Sequence, residues 1–265
     1  MKVAKFKRHL SKKRPQPSLT LAIRERAGRN NEGKLTVRHR GGGVKRLYRI
    51  INFGQEKINM PATIKDFEYD PNRTSYIALV EYADKTKAYV LAAQGLKKGD
   101  MVIVAESAET KPGNRMKIKN IPVGTDVFNI GIQPDSKGGL VRSAGSAAKV
   151  LAHEGEHVHL QMPSKEIRKI DGDCFATVGA VSFPEHRFIK VGKAGNTRLK
   201  RRRPQVRGLA MSPKDHPHGG GEGRSGIGFS GPKTPWGKPA LGVKTRRRKH
   251  TNTFIIKRRP KGRKS

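Results

Sequence analysis

Positive charge is concentrated at the two ends of this 265-residue chain and is nearly balanced in its middle. Residues 1–50 carry a net charge of +14 and residues 201–265 a net charge of +17, whereas residues 51–200 carry only +5. Ends that are rich in Lys, Arg, Gly and Pro cannot bury enough apolar surface to offset the entropy of ordering them. The middle is therefore the part that can form a core, and the total of +36 predicts a polyanionic partner.

Composition excludes several classes of protein. Hydrophobic residues make up 34% of the chain, and no run approaches the roughly 18 apolar residues that a membrane span needs. Residues 1–10 lack the apolar core of a signal peptide, so we expect a protein that stays inside a cell or organelle. The single cysteine, Cys174, rules out an intrachain disulfide and a multi-cysteine zinc site. Its apolar neighbours predict a buried position in a strand.

Short apolar runs with a period of two follow one another through the middle of the chain, and this pattern predicts β-strands. The runs cover residues 62–69, 75–82, 87–92, 101–105, 126–130, 148–153, 157–162, 166–170 and 174–181. Turn-forming residues separate them, for example at 70–73 and 83–86. Short strands without any long helical period predict small barrels, and we place the boundary between two such barrels near Pro122. Beyond Gly192 the pattern ends, and we expect the basic arms to be disordered until they bind their partner.

One motif raises the possibility of catalysis. Residues 153–157 spell His-Glu-Gly-Glu-His and match a zinc-protease pattern, so a hydrolytic metalloenzyme that uses His153, Glu154 and His157 is the enzymatic alternative. That chemistry requires both histidines on one face of a helix. Gly155 at the centre and strand-like runs on both sides instead predict a hairpin turn at Glu154 and Gly155, with the two histidines on opposite strands.

Runs of consecutive cations recur in the C-terminal arm, at residues 201–203, 246–249 and 257–259. Together with the basic N-terminal end, they favour neutralisation of phosphates along a long folded nucleic acid. Small barrels with irregular basic arms suit structured RNA, and no helix-turn-helix or zinc-finger pattern is visible. A general DNA-compacting protein is the other alternative, and it should bind duplex DNA as tightly as rRNA at equal salt.

Several motifs occur in a characteristic order along the chain. They are residues 28–31 (Gly-Arg-Asn-Asn), 38–43 (Arg-His-Arg-Gly-Gly-Gly), 68–73 (Glu-Tyr-Asp-Pro-Asn-Arg), 120–124 (Asn-Ile-Pro-Val-Gly), 206–208 (Val-Arg-Gly), 215–224 (Asp-His-Pro-His-Gly-Gly-Gly-Glu-Gly-Arg) and 234–237 (Thr-Pro-Trp-Gly). The last two are the most specific. In these motifs the chain resembles the bacterial-type family of large-subunit ribosomal protein two, over residues 28–261.

The resemblance implies an all-β fold in which an OB-fold barrel is followed by an SH3-like barrel, with long irregular basic N- and C-terminal extensions. Combined with the pattern above, it divides the chain into a basic extension (1–33), an OB-fold RNA-binding barrel (34–121), an SH3-like barrel (122–192) and a Gly/Pro-rich basic extension (193–265). It also implies a primary rRNA-binding protein near the peptidyl transferase centre that supports subunit association, tRNA binding and peptide-bond formation without catalysis of its own.

The implied partners are large-subunit rRNA, neighbouring ribosomal proteins, the small subunit across the intersubunit interface and, indirectly, tRNA, with no membrane. The implied location is a bacterial cytoplasmic ribosome, with an organellar ribosome as the alternative. We expect no metal site or cofactor, apart from structural Mg²⁺ that could be shared with rRNA.

Site residues follow from the basic runs, the glycine triplets and the resemblance. By position, Arg142 matches an rRNA-contacting arginine of the family, and His216 matches a histidine for which a part in peptide-bond formation has been proposed. We interpret His216 as a positioning residue, because a general base must lie within about 3 Å of the proton that it takes, and we expect no catalytic residue. The expected rRNA-binding residues are Arg38, His39, Arg40, Gly41, Gly42, Gly43, Arg73, Lys87, Arg142, Arg201, Arg202, Arg203, Arg207, Asp215, His216, His218, Gly219, Gly220, Gly221, Arg224, Trp236, Arg246, Arg247, Arg248, Lys257, Arg258 and Arg259.

Overall fold

The computed structural model describes residues 10–260, so residues 1–9, on which the expectation about a signal peptide falls, and residues 261–265 lie outside the described part. Contacts divide the described chain into two units. The first contains residues 10–23, 46–190 and 251–260, and the second contains residues 24–45 and 191–250. No helix in the described residues is long and apolar enough to cross a membrane.

The first unit begins with a two-stranded ribbon and a curled four-stranded antiparallel sheet. The strands are β1 (Thr20–Ala22), β2 (Leu47–Arg49), β3 (Ala62–Tyr69), β4 (Tyr76–Tyr82), β5 (Lys87–Leu91) and β6 (Met101–Val102). β1 pairs with β2, and the order in the sheet is β5-β4-β3-β6. Alternation along the strands buries Ala62, Ile64, Ala78 and Val80 in one core. A register shift after Ile64 interrupts the β3–β4 ladder, as bulges that bend a sheet do.

The same unit contains a seven-stranded sheet. Its strands are β7 (Arg115–Lys117), β8 (Asp126–Phe128), β9 (Ala148–Glu154), β10 (His157–Gln161), β11 (Ile167–Asp171), β12 (Phe175–Val178) and β13 (Ile255–Lys257), in the order β13-β11-β10-β9-β8-β12-β7. Its core includes Met116, Val127, Val150, Leu160 and Cys174, all of which are fully or almost fully buried. The predicted burial of the cysteine is therefore confirmed, but Cys174 lies one residue before β12 and not within a strand.

The predicted runs account for nine of the thirteen strands in the described residues, and β1, β2, β7 and β13 were not predicted. Each of the nine predicted runs overlaps an observed strand, and the all-β fold of an OB-type barrel followed by an SH3-like barrel is confirmed. The strand observed in the run at 101–105, β6, is shorter than predicted, because the chain pairs with β3 only as far as Val102 and then forms hydrogen bonds with β7. The Arg115 N–H donates to the Ile103 carbonyl (2.9 Å), and the Ala105 N–H donates to the Arg115 carbonyl (3.0 Å). The division of the chain at residues 33, 121 and 192 stays a prediction.

The second unit is held together mainly by loops. It contains one short α-helix, α1 (Ala194–Leu199), which the sequence analysis missed because six residues are too few to show a helical period. A 3-10 turn follows at Gly208–Ala210. The other residues of the C-terminal segment of this unit are exposed or half-buried, whereas His216 and His218 are buried.

Candidate nucleic-acid interface

Two sets of predicted RNA-binding residues meet in the second unit. Arg40 forms an isolated antiparallel bridge with Arg202, and the Gly41 N–H donates to the Arg201 carbonyl (3.2 Å). The Arg203 N–H donates to the His39 carbonyl (3.1 Å). Residues 38–43 and 201–203, far apart in sequence, therefore form one paired segment, which we call the paired basic segment.

The glycine triplet in this segment fits closely against its own chain. A side chain at Gly43 would place Cβ 2.7 Å from the carbonyl oxygen of Leu199, and one at Gly42 would lie 3.1 Å from the Arg198 guanidinium. Both glycines also have positive φ angles, +69° at Gly42 and +89° at Gly43. These glycines are among the expected rRNA-binding residues. The structure gives a reason for glycine at these positions, which is packing against α1 and the residues that follow it; contact with RNA stays a prediction.

The arginines of the paired basic segment differ in their surroundings. Arg201 is half-buried, donates to the Val44 carbonyl (3.1 Å) and lies 3.7 Å from a carboxylate oxygen of Glu25. Arg40, Arg202 and Arg203 instead have exposed side chains. Arg201 thus holds the segment together, while its neighbours present charge to solvent.

Arg198 is a second internal contact of this segment that the sequence analysis missed. Its Nη1 donates to the carbonyls of Gly41 and Arg202, both at 3.2 Å. No local signal could have marked it, because the bond to Gly41 joins residues 157 positions apart.

Trp236 forms an exposed aromatic surface in the second unit. Its side chain is 73% exposed, and the Arg38 guanidinium lies 5.1 Å from the ring centroid. An exposed ring with an arginine beside it can stack on an unpaired base and contact its phosphate. The structure thereby brings two predicted site residues together in an arrangement suited to single-stranded RNA.

The glycine-rich loop at 215–224 is organised by two buried imidazoles. His216 Nδ1 accepts a hydrogen bond from the His218 N–H (3.0 Å), and His218 Nε2 accepts one from the Lys233 N–H (2.9 Å). These bonds leave the ring protons on Nε2 of His216 and Nδ1 of His218. Both rings therefore fix backbone groups of the loop, while Asp215 and Arg224 are exposed beside them.

The His216 ring packs directly on Gly208, which the sequence analysis did not single out for packing. An ideal Cβ on Gly208 would lie 2.5–2.7 Å from three atoms of the ring. Close packing of the same kind occurs at Gly219, whose Cβ would lie 2.2 Å from the Ser212 carbonyl oxygen, and at Gly220, whose Cβ would lie 2.7 Å from Pro213. Gly221 faces Ser225 in the same manner, at 2.3 Å. The second glycine triplet thus also has an internal packing role.

In the first unit, two predicted site residues share one aromatic ring. The guanidinium of Arg142 lies 4.7 Å from the centroid of Phe53, and that of Arg73 lies 5.5 Å from it. Arg73 is held in place by a 2.6 Å ion pair with the fully buried Asp70, whereas Arg142 is exposed. The arrangement leaves Arg142 as the exposed cation, and an exposed guanidinium suits binding of phosphate.

The remaining predicted cations lie on exposed surfaces. Lys87 begins β5 and is paired in register with Glu81 of β4. Lys257 lies in β13, and Arg258 donates to the Asn252 side chain (2.8 Å). The other side chains in this group are exposed: Arg207, Arg246, Arg247, Arg248 and Arg259.

The His-Glu-Gly-Glu-His motif lies in a β-hairpin, as predicted. His153 is on β9 and His157 is on β10, with a two-residue turn at Gly155 and Glu156, so the predicted turn position is corrected by one residue. The turn requires a positive φ at position 155, where φ is +55°, and glycine adopts this conformation without strain. His153 Nε2 lies 2.9 Å from the Ile121 carbonyl oxygen, within hydrogen-bonding distance. Residues 10–260 contain no group of three or more His, Cys, Asp or Glu placed to hold a metal ion.

Two protein-family models match the chain and together cover most of it. The model described as ribosomal proteins L2, RNA binding N-terminal domain, matches residues 16–104. The model described as ribosomal proteins L2, C-terminal domain, matches residues 111–237. The matched regions contain most of both barrels, the paired basic segment and the glycine-rich loop at 215–224. The chain therefore belongs to the ribosomal protein L2 family and is a structural, rRNA-binding component of the large ribosomal subunit.

Proposed function

We propose that this protein binds large-subunit rRNA as a primary assembly protein near the peptidyl transferase centre. There it supports subunit association, tRNA binding and peptide-bond formation without catalysing a reaction itself. Its further partners are neighbouring ribosomal proteins, the small subunit across the interface and, indirectly, tRNA. The ribosome is bacterial, with an organellar ribosome as the alternative, and any Mg²⁺ at the interface is shared with rRNA.

The paired basic segment is the observation that carries this proposal. Its internal bonds use the backbone and the side chains of Arg198 and Arg201, so the guanidinium groups of Arg40, Arg202 and Arg203 stay exposed. Five N–H donors in a planar fork make each of these groups suited to phosphate oxygens. The segment therefore holds the backbone of these three arginines in place, and a preorganised backbone loses less entropy on binding than a disordered arm does.

The barrels and arms have separate roles in this proposal. The OB-fold barrel (34–121) and the SH3-like barrel (122–192) supply the folded bodies, and Arg73 and Arg142 on Phe53 bind rRNA from there, together with Lys87. The extensions (1–33 and 193–265) carry most of the charge into the RNA. Trp236 of the C-terminal extension stacks on a base, while Arg38 of the residues assigned to the OB-fold barrel binds the adjoining phosphate.

His216 acts as a positioning residue in this proposal. Its Nδ1 is occupied by the His218 N–H, and its side chain is only 7% exposed. An imidazole in this position holds the glycine-rich loop and lacks free access to a substrate proton. We expect His216→Ala to impair assembly or subunit joining more than the chemical step. Correctly assembled particles that lose only the chemical rate would contradict this role.

The function is tested by measuring binding of the full chain to large-subunit rRNA over a range of salt concentrations. The variant Arg202→Gln/Arg203→Gln should bind less tightly and reduce the slope of log affinity against log salt by about 1 for each arginine. The matched control is Lys149→Gln/Lys165→Gln, which removes two exposed cations of the SH3-like barrel outside the proposed site.

Two results would overturn the proposal. One is an equal loss of affinity and slope in the control variant, which would indicate that only total charge matters. The other is equally tight binding of duplex DNA at the same salt concentration, which would favour a DNA-compacting protein.

A further inference from the structure

The exposed side chain of Arg142 is supported by residues that are distant from it in sequence. Its guanidinium lies 4.7 Å from the centroid of the Phe53 ring. The residue before it, Val141, packs against the same small core cluster as Phe53, around Phe128 and Val181. Val141 also packs against the core of the seven-stranded sheet. The place of Arg142 therefore depends on what fixes Phe53 and Val141.

One buried asparagine, Asn129, is bonded to both of these residues. It follows β8 directly and is only 5% exposed. Its backbone N–H donates to the Val141 carbonyl (2.9 Å), and its side-chain Nδ2 donates to the Phe53 carbonyl (3.4 Å). The Asn129 carbonyl accepts a hydrogen bond from Nη1 of the buried Arg115 (2.6 Å), which anchors the asparagine on β7. Asn129 thus connects the two supports of Arg142 to the core.

The loop that leads from Asn129 to Arg142 closes tightly around the asparagine side chain. The Gly138 N–H donates to the same Phe53 carbonyl, at 2.8 Å. A Cβ at Gly138 would lie 1.9 Å from Asn129 Oδ1 and 2.7 Å from the Asn129 backbone oxygen. The asparagine side chain therefore occupies the space inside the loop, and its removal would take away the contact on which the loop packs.

The backbone is left-handed at both ends of this loop. The φ angle is +50° at Asn129 and +53° at Val141. Asparagine adopts this conformation readily, but for a β-branched residue such as valine it is strained. Strain of this kind persists only where the surrounding structure imposes it, and here the bond from the Asn129 N–H and the packing of the Val141 side chain do so. Because the backbone angles of Val141 set the direction of the next residue, they decide where Arg142 lies.

We propose that Asn129 is a positioning residue for the contact between Arg142 and rRNA. By holding the two carbonyls, it keeps the Arg142 guanidinium beside the aromatic ring before RNA binds, and a group already in place loses less entropy on binding. This inference rests on the proposed function, in which Arg142 binds rRNA. Arg73, the other cation beside the ring, is held by its own ion pair with Asp70, so the effect of Asn129 is confined to Arg142.

Arginine-selective NMR of the free full-length chain tests the placement without RNA. The side-chain protons of Arg142, assigned by comparison with Arg142→Gln, should show an upfield ring-current shift in the wild-type protein, and Phe53→Leu should remove it. Asn129→Gly should lose most of this shift although the ring is still present; glycine is chosen because it adopts the φ of +50° without strain. Unshifted Arg142 signals in the wild type, or wild-type shifts in Asn129→Gly, would overturn the proposal.

Binding of the full chain to large-subunit rRNA tests the consequence through a double-mutant cycle. Arg142→Gln should weaken binding about 10-fold or more, as expected for loss of a hydrogen bond between charged groups. Asn129→Gly should weaken binding at least roughly twofold in the wild-type background and should have no further effect in Arg142→Gln, because the cation that it positions is then gone. A merely structural loss would instead persist in both backgrounds.

The matched control is Asn114→Gly, which removes the same side chain elsewhere in the first unit. Asn114 is 6% exposed, and its side chain bonds to the Ile103 N–H and to the Glu109 carbonyl, neither of which belongs to an expected rRNA-binding residue. Equal weakening by Asn129→Gly in both backgrounds, or the same coupling to Arg142 in the control, would overturn the inference and leave the role of Arg142 intact. Wild-type affinity in Arg142→Gln would instead overturn the proposed role of Arg142, and the inference with it.

Discussion

Substitution of Gly208 by alanine should disturb the glycine-rich loop at 215–224 from a position outside that loop. Gly208 has no side chain, and the His216 ring occupies the space where one would lie. The new Cβ would lie 2.5 Å from Cε1, 2.6 Å from Nδ1 and 2.7 Å from Nε2 of that ring. Optimal carbon contacts are about 3.5–4.0 Å. Because the imidazole is buried, it cannot swing into solvent, and it must shift by roughly 1 Å together with the loop.

The magnitude follows from two costs. Overpacking of a filled site typically destabilises by about 1–3 kcal/mol. Displacement of the ring also lengthens the 3.0 Å bond from the His218 N–H to His216 Nδ1, and an unsatisfied buried donor costs about 1–3 kcal/mol. The two costs overlap, because movement that relieves the first creates the second. We therefore expect a loss of about 1–3 kcal/mol in the local opening free energy, which corresponds to an increase of about 5- to 150-fold in opening.

Native-state hydrogen exchange of the His218 amide measures this opening directly. The amides of His218 and Lys233 should exchange faster in Gly208→Ala, and amides of the seven-stranded sheet should not change. The control is Gly226→Ala, because a Cβ at Gly226 meets no atom within 4 Å and its backbone is not in the left-handed region. Unchanged exchange at His218 in Gly208→Ala, or an equal change in the control, would refute the packing argument.

Three further predictions concern other parts of the chain. Burial raises the pKa of the Cys174 thiol to about 12, so a thiol reagent should label it only on unfolding; rapid labelling of the native protein would contradict this burial. Burial also raises the pKa of Glu68 above its usual 4.5, although the hydrogen bond from the Tyr89 hydroxyl opposes the shift. The contribution of Glu68 to stability is therefore present below about pH 4.5 and is lost as the pH rises through the raised pKa. Glu68→Gln keeps an acceptor for Tyr89, so its unfolding midpoint should match the wild-type midpoint near pH 4 and exceed it near pH 7. A difference in midpoint that does not grow with pH would contradict the raised pKa of Glu68. Gly43→Ala should lower the free energy of urea unfolding by about 1–3 kcal/mol, because it adds a Cβ 2.7 Å from a backbone oxygen at a φ of +89°. The control Gly195→Ala should not be destabilised, because its Cβ would meet no atom within 4 Å.

The strands could be predicted because their signal is local. Residues 62–69 alternate between apolar and polar side chains, and β3 spans the same residues, with Ala62 and Ile64 on the buried face. The hairpin at 153–157 was also predictable, because a glycine between two alternating runs favours a turn over a helix. Its position was wrong by one residue, since a two-residue turn at Gly155 and Glu156 pairs Glu154 with His157.

The packing of the candidate site could not be predicted in the same way. The bond between Arg198 and Gly41 and the bond between Arg201 and Val44 each join residues 157 positions apart. No local pattern marks such partners, because the path of the chain decides which distant segments meet. For the same reason the sequence marked the glycine triplets as candidate rRNA-binding residues but did not indicate that other parts of the same chain pack against them.

Charge distribution, strand periodicity and the ordered motifs were enough to identify an all-β, rRNA-binding protein of the ribosomal L2 family, since each is a property of residue type and spacing. The tertiary structure decided which cations hold the protein together and which face outward. Arg201 is bonded to Val44 beside Glu25, Arg115 is buried and bonded to Asn129, and Arg202 and Arg203 remain exposed, although all four look alike in the sequence. The physical reason is that the free energy of a charge depends on its solvation and its partners, and folding sets both.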